Sequence, residues 1–197
     1  MTIQMCRSDG IRGFAVIEVL FAAGLVATLS SIAMPSILRS IDDYRTAGAA
    51  RYIASRLQRA RMEAVLRSAN VAVHFSASGE FATYIDGNGN GVLSADIRDG
   101  SDPRLGAVEQ LASSFGGVEF GVLAGLPPVD AGAAAPGSDA IHLGSSDSAS
   151  FTPIGTSSSG SVYLRCRTRQ VVVRIYGDTG RVRILRYDAG TRKWSGL

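Results

Sequence analysis

The chain is poor in the residues that build metal centres and covalent cross-links. Among 197 residues there are two Cys and two His. Two cysteines exclude a disulfide-rich scaffold and a four-cysteine zinc site, and two histidines leave little room for a histidine-based metal centre. Lysine is almost missing, since 19 of the 20 basic residues are Arg. The 23 Gly and 6 Pro are too few for a fibrous or disordered chain. No internal repeat is present. No G-x-S-x-G motif occurs, and no Ser/His/Asp or Cys/His arrangement is evident, so the chain is not expected to be an enzyme. Length alone suggests about one globular domain, at roughly 100–200 residues each.

Apolar residues make up 46% of the chain, but they are unevenly spread. Phe14 to Leu38 (FAVIEVLFAAGLVATLSSIAMPSIL) holds a single ionisable side chain, Glu18. A membrane-spanning helix needs about 20 such residues, and a secretory signal has only about 7–15. Arg7 and Arg12 precede the segment, which places the N-terminus in the cytoplasm and the rest beyond the membrane. Pro35 is expected to kink the helix rather than end it, because helical spacing resumes at Ile53, Leu57, Ala60 and Ala64. Ser68, Ala69 and Asn70 read as the helix end. A helix over residues 14–69 spans about 80 Å at 1.5 Å per residue. Its Arg51, Arg56, Arg59, Arg61 and Arg67 read as a solvated face.

Charge is also segregated. Residues 70–161 carry Arg98 and Arg104 against ten acids, net −8, whereas residues 162–197 carry eight Arg and Lys193 against Asp178 and Asp188, net +7. A dense basic terminus calls for an anionic partner or an intramolecular acidic one.

After Asn70 the period changes from helix to strand. VAVHF (71–75) and FATYI (81–85) flank a turn at Gly79. VEFGV (118–122), AIHL (140–143) and Ser150–Phe151 are short candidates. VYLRC (162–166), VVVRIY (171–176) and RVRILRY (181–187) are the strongest, the last two joined by the four-residue loop Gly177–Gly180. Residues 86–103, 126–138 and 156–161 read as loops. The expected architecture is α+β: a long N-terminal hydrophobic helix on an antiparallel sheet. The division is 1–13, 14–69 with its apolar half at 14–38, and a β-rich region 70–197.

Gly13-Phe14-Ala15-Val16-Ile17-Glu18-Val19-Leu20 resembles the class III leader and N-terminus of type IV pilins and type II secretion pseudopilins. Pro35 stands where these proteins have a helix-kinking Pro. The resemblance implies a leader, 1–13, cut by prepilin peptidase between Gly13 and Phe14, with N-methylation of Phe14. Independently, a carboxylate such as Glu18 inside an apolar segment costs about 2.5–3.5 kcal/mol at a helix centre and needs a partner. In the family a neighbouring subunit's freed N-terminal amine takes that role, which makes Glu18 and Pro35 assembly residues.

Further on, Phe151-Thr152-Pro153-Ile154-Gly155, Gly160-Ser161-Val162-Tyr163-Leu164, Val171–Val173 and Gly180-Arg181-Val182-Arg183 resemble the GspH/FimT family pattern F-x-P-x-G, G-x-V-x-L, an apolar strand and G-R-x-R. This implies a minor pseudopilin of the bacterial inner membrane. Its sheet domain would be periplasmic, its partners would be other pseudopilins, and no small-molecule substrate is implied. The GspH branch sits near the tip of the type II secretion pseudopilus. The FimT branch serves type IV pili, and some members take part in DNA uptake. Arg181 and Arg183, two apart on a strand, project from one face and are candidate phosphate contacts. The alternative is that the C-terminal Arg pair with the acidic 70–161 segment.

Asp86-Gly87-Asn88-Gly89-Asn90-Gly91 resembles half of a calcium loop, with Asp96 nearby, but position twelve is Ile97 rather than Glu. A Gly/Asn turn is the competing reading. No cofactor is therefore expected, with Ca²⁺ at Asp86, Asn88, Asn90 and Asp96 as the alternative. Cys6 would leave with the leader, and Cys166 reads as a small buried apolar residue. Trp194 either covers the sheet end or is an exposed contact.

Overall fold

The computed structural model describes residues 15–76, 78–130 and 132–197. The expected cleavage junction, Gly13–Phe14, lies outside the described residues. Helix α1 is Val16–Arg67, with Pro35 inside it. The chain divides into two compact units, one up to Ser40 and one from Ile41 to Leu197. In the first unit the helix is exposed on every side. An 18-residue window of α1 has a mean hydropathy of 2.0, none of it buried, so the helix is apolar and long enough to cross a membrane. Four of its hydroxyls are satisfied internally: Thr28, Ser31, Ser36 and Ser40 donate to the carbonyls of Leu25, Thr28, Ala33 and Ser36. That is what a polar side chain in hydrocarbon requires.

In the second unit α1 buries Asp42, Thr46, Ala49, Ala50, Ile53, Leu57, Ala60 and Ala64, a single face at helical spacing. Four of these are alanines, which let the strands approach the helix closely. Ser68, at φ 50°, ends the helix as the sequence suggests.

The remaining elements, in chain order, are β1 (Val71–Phe75), β2 (Glu80–Ile85), α2 (Ser94–Asp99), β3 (Arg104–Gln110), α3 (Leu111–Ser114), β4 (Glu119–Phe120), β5 (Ile141–His142), β6 (Ser148–Phe151), β7 (Gly160–Cys166), β8 (Arg169–Tyr176), β9 (Arg181–Asp188) and β10 (Lys193–Gly196). The fold is α+β and pilin-like, but it has two antiparallel sheets rather than one. The first is ordered β3-β2-β1-β6. The second is β10-β9-β8-β7-β4, with β5 also on β7. Strand β3 falls outside the candidate strands because a bulge near Gly106 breaks its alternation. Strand β10 also falls outside the candidate strands, because Trp194 is its one large apolar residue. The 86–103 segment, read as loop, contains the short helix α2.

The main core gathers the α1 face with Phe75, Phe151, Leu164, Val173 and Ile175, among others. Phe75 and Phe151 are fully buried, each contributing about 1.5–3 kcal/mol of hydrophobic stabilisation. A second cluster lies on the other face of the second sheet: Tyr163, Val172 and Leu185, with Val122, Val129 and Trp194 packed on it. Trp194 therefore covers the sheet. Its indole N–H donates to the Pro127 carbonyl at 3.0 Å and pins the Pro/Ala/Gly loop. Buried Gln170 fixes the same crossing by accepting from the Leu123 N–H (2.9 Å) and donating to the carbonyls of Gly121 and Leu164.

Candidate functional site

The β8–β9 hairpin closes through Gly177–Gly180, and its register sets Tyr176 opposite Arg181 and Arg174 opposite Arg183. Val182 and Ile184 pack on the core, so by alternation Arg181 and Arg183 face the other way, beside Arg174 and Tyr176. Like charges directly opposite repel. Arg174 is neutralised by Asp130 at 2.7 Å, donates to Ser161 and lies 5.6 Å from the Tyr176 ring centre. Arg181 and Arg183 are exposed and join no ion pair among the described residues.

The C-terminal arginines thus follow both readings. Arg165 and Arg174 pair with Glu119 and Asp130 of the acidic segment. Arg167 and Arg169 pair with Asp42 and Asp43 of α1. Cys166 is buried beside this contact, with its thiol 3.5 Å from Asp42 Oδ1. Burial pushes its pKa up, and the Asp42 carboxylate adds to the effect.

The glycines of the two C-terminal motifs meet at one helix arginine. Arg61 Nε donates to the Gly155 carbonyl at 2.8 Å. Gly155 and Gly180 have φ of 83° and 60°. A Cβ at Gly180 would stand 2.4 Å from the Gly155 oxygen and 2.8 Å from Arg61 Nε. Arg61 is therefore not part of a solvated face. Neither is Arg56, which pairs with Glu109 at 3.0 Å and donates to the Tyr52 hydroxyl. Sequence reasoning missed both, although the paired motif glycines signalled a close approach. Beside Gly155 lies an exposed apolar patch of Met62, Val65, Leu66 and Ile154.

The Asp86 loop does bring its four candidates together, but N–H groups occupy both oxygens of Asp86 and Oδ2 of Asp96. Asp86 accepts from the backbone N–H of Asn88, Gly89 and Gly91 and from the Asn70 amide. Burial pushes the Asp86 carboxyl up, and these hydrogen bonds outweigh it, leaving the pKa below the usual range. Asp96 accepts from the amides of Asn88 and Asn90. Asp102, which sequence reasoning passed over, is buried and accepts from the N–H of Gly87 and Leu93. Among the described residues no group of three or more His, Cys, Asp or Glu is placed to hold a metal.

Glu18 lies in the exposed first turn of α1, and Pro35 is accommodated mid-helix. A helix apolar and exposed in its first half and core-forming in its second, set against antiparallel sheets, defines the pilin-like class. The model of one family, described as type II transport protein GspH, matches residues 49–180, about two-thirds of the sequence, and the chain belongs to that family. A solved structure of the minor pseudopilin EpsH from the type 2 secretion system of Vibrio cholerae is 13% identical. The match covers 72% of this chain and 97% of that one, with a TM-score of 0.46. The comparison with curated proteins gave no match.

Proposed function

We propose that the chain is a minor pseudopilin, a structural subunit of a type II secretion pseudopilus that acts by assembly rather than catalysis. The observation that carries this reading is helix α1, whose first half is apolar and unburied while its second half is the core of the globular unit. In the membrane-held form the N-terminus is cytoplasmic and the sheet unit periplasmic. Prepilin peptidase cuts between Gly13 and Phe14, and Phe14 is N-methylated. The freed amine answers Glu18 of a neighbouring subunit as the helices bundle, which offsets the cost of a carboxylate in an apolar setting. Mass spectrometry of the assembled protein should find methylated Phe14 at the N-terminus. An intact Met1 there would refute processing.

A second reading, a FimT-like minor pilin that binds DNA, is favoured by one observation: Arg181 and Arg183 lie on one face with no ion pair among the described residues. Two free guanidiniums beside Tyr176 suit phosphate contact independent of sequence. Full-length protein in detergent should then bind labelled duplex DNA at low salt, with affinity falling as salt rises. Arg181→Ala with Arg183→Ala should abolish binding without moving the melting temperature, and no binding at low salt sinks this reading. The Asp86 loop is inferred to hold its shape without Ca²⁺, because amide and backbone N–H groups occupy both oxygens of Asp86 and Oδ2 of Asp96.

A further inference from the structure

The first sheet ends in β3, which has β2 as its single neighbour among the described residues. Alternate N–H and C=O groups on its outer side are therefore unpaired by strands, the template on which another strand can add. Proteins blunt such edges with protruding charges or proline. Here the charges are engaged within the chain. Glu109 is held by Tyr52 and Arg56. Arg104 folds back so that its Nε donates to the Gly106 carbonyl at 3.1 Å, which closes only the start of the edge. Ala107, Val108 and Gln110 carry neither charge nor proline.

Beside this edge runs an open groove of about 460 Å³ between β3 and one flank of α1. Ala60 and Ala107 leave room next to Leu105, and Arg56, Arg59 and Arg67 stand on the helix side. Arg56 is matched by Glu109 and Arg67 by Glu63. Arg59 is exposed and joins no ion pair among the described residues; Glu63, already bonded to Arg67, also feels Arg59, so three arginines share two carboxylates, Glu63 and Glu109, and the groove keeps a net positive charge.

We propose that β3 is a docking edge for an extended, acid-bearing segment of another polypeptide, which adds as a fifth strand to the first sheet. Side chains alternate along a strand, so residues i and i+2 of the guest share the face turned to α1. One carboxylate there answers Arg59, and one apolar side chain fills the space over Ala60 and Ala107. Main-chain hydrogen bonds supply affinity and the groove supplies selectivity. The inference goes beyond the fibre reading and does not depend on it, because it uses only the globular unit.

The test is to pan a random 12-residue peptide library on the immobilised full chain in detergent. Selected peptides should carry an Asp or Glu among alternating strand-forming residues. Their affinity should fall at least tenfold against Arg59→Glu and stay unchanged against Arg186→Glu, a reversal of another exposed arginine. Both variants change exposed side chains, and matching circular dichroism establishes that they fold. Methylating alternate backbone nitrogens of a selected peptide should remove binding in one of the two phases. No enrichment, equal binding to wild type and Arg59→Glu, or full binding of both N-methylated phases would each overturn the proposal.

Discussion

Gly180→Ala is the sharpest probe of the contact that joins the two C-terminal motifs to the helix. Three costs act together. A Cβ at φ 60° is strained by about 1–2 kcal/mol. The same Cβ meets the Gly155 carbonyl oxygen at 2.4 Å, a backbone atom that cannot swing aside. Relieving that overlap displaces Arg61, whose hydrogen bond to Gly155, made by a charged donor, is worth about 1.5–3 kcal/mol. With partial relaxation the sum is roughly 2–4 kcal/mol. At about 2–4 °C per kcal/mol for a unit of this size, the melting temperature should fall by about 5–15 °C. Gly125→Ala is the internal comparison: φ is 75° but nothing lies within 4 Å, so strain alone applies, about 1–2 kcal/mol. Thermal unfolding followed by circular dichroism measures both. Equal losses for the two variants would refute the clamp. A double-mutant cycle with Arg61→Met should show coupling of about 0.5 kcal/mol or more.

The core face and the exposed flank of α1 should separate cleanly in stability. Leu57→Ala is expected to cost about 2–5 kcal/mol by denaturant unfolding, whereas Leu66→Ala, on the exposed flank, should stay within about 0.5 kcal/mol. Chelation by EDTA should leave the melting temperature within about 1 °C, because N–H donors already hold both oxygens of Asp86; a larger drop would assign a metal there. The pKa of Asp86 is lowered in the fold, so its contribution is present above the ordinary carboxylate range and lost as pH falls through its folded value. Stability of wild type relative to Asp86→Asn should therefore shrink below about pH 4. Cys166, buried with a raised pKa, should resist iodoacetamide at pH 8 in the folded protein and react once urea unfolds it.

Much of the architecture was legible because two periods are strong in the residues themselves. Ile53, Leu57, Ala60 and Ala64 marked the buried face of α1, and VVVRIY with RVRILRY marked the central hairpin and its four-residue loop. What escaped depends on contacts that no period records. RLGAVEQ became strand β3 because β2 pairs with it across a bulge, and KWSG became β10 because Trp194 docks on Tyr163 and Tyr187. The division into two sheets is likewise set by long-range pairing, β1 reaching β6 some 75 residues on. At the candidate sites, Arg181 and Arg183 could be placed on one face from spacing alone. Whether each arginine found a carboxylate could not, since Arg174 meets Asp130 and Arg169 meets Asp43 only after the loops close. The Asp86 loop shows the reverse case: its ligand-like residues converge, yet backbone N–H groups and side-chain amides already occupy Asp86 and Oδ2 of Asp96.

The helix that founds the core is made first, and several of its partners are made last. Ile53, Leu57, Ala60 and Ala64 are synthesised more than 90 residues before the strands at 160–176 that cover them. Strands β1 and β2 follow at once, but the part of the core that β7 and β8 complete waits while the rest of the chain is produced. Such non-local closure is intrinsically slow, because loop entropy is lost before contacts form. The folding of the globular unit is consequently gated by completion of the chain, and truncation after Gly155 should leave a helix with its apolar face only partly covered rather than a smaller native unit.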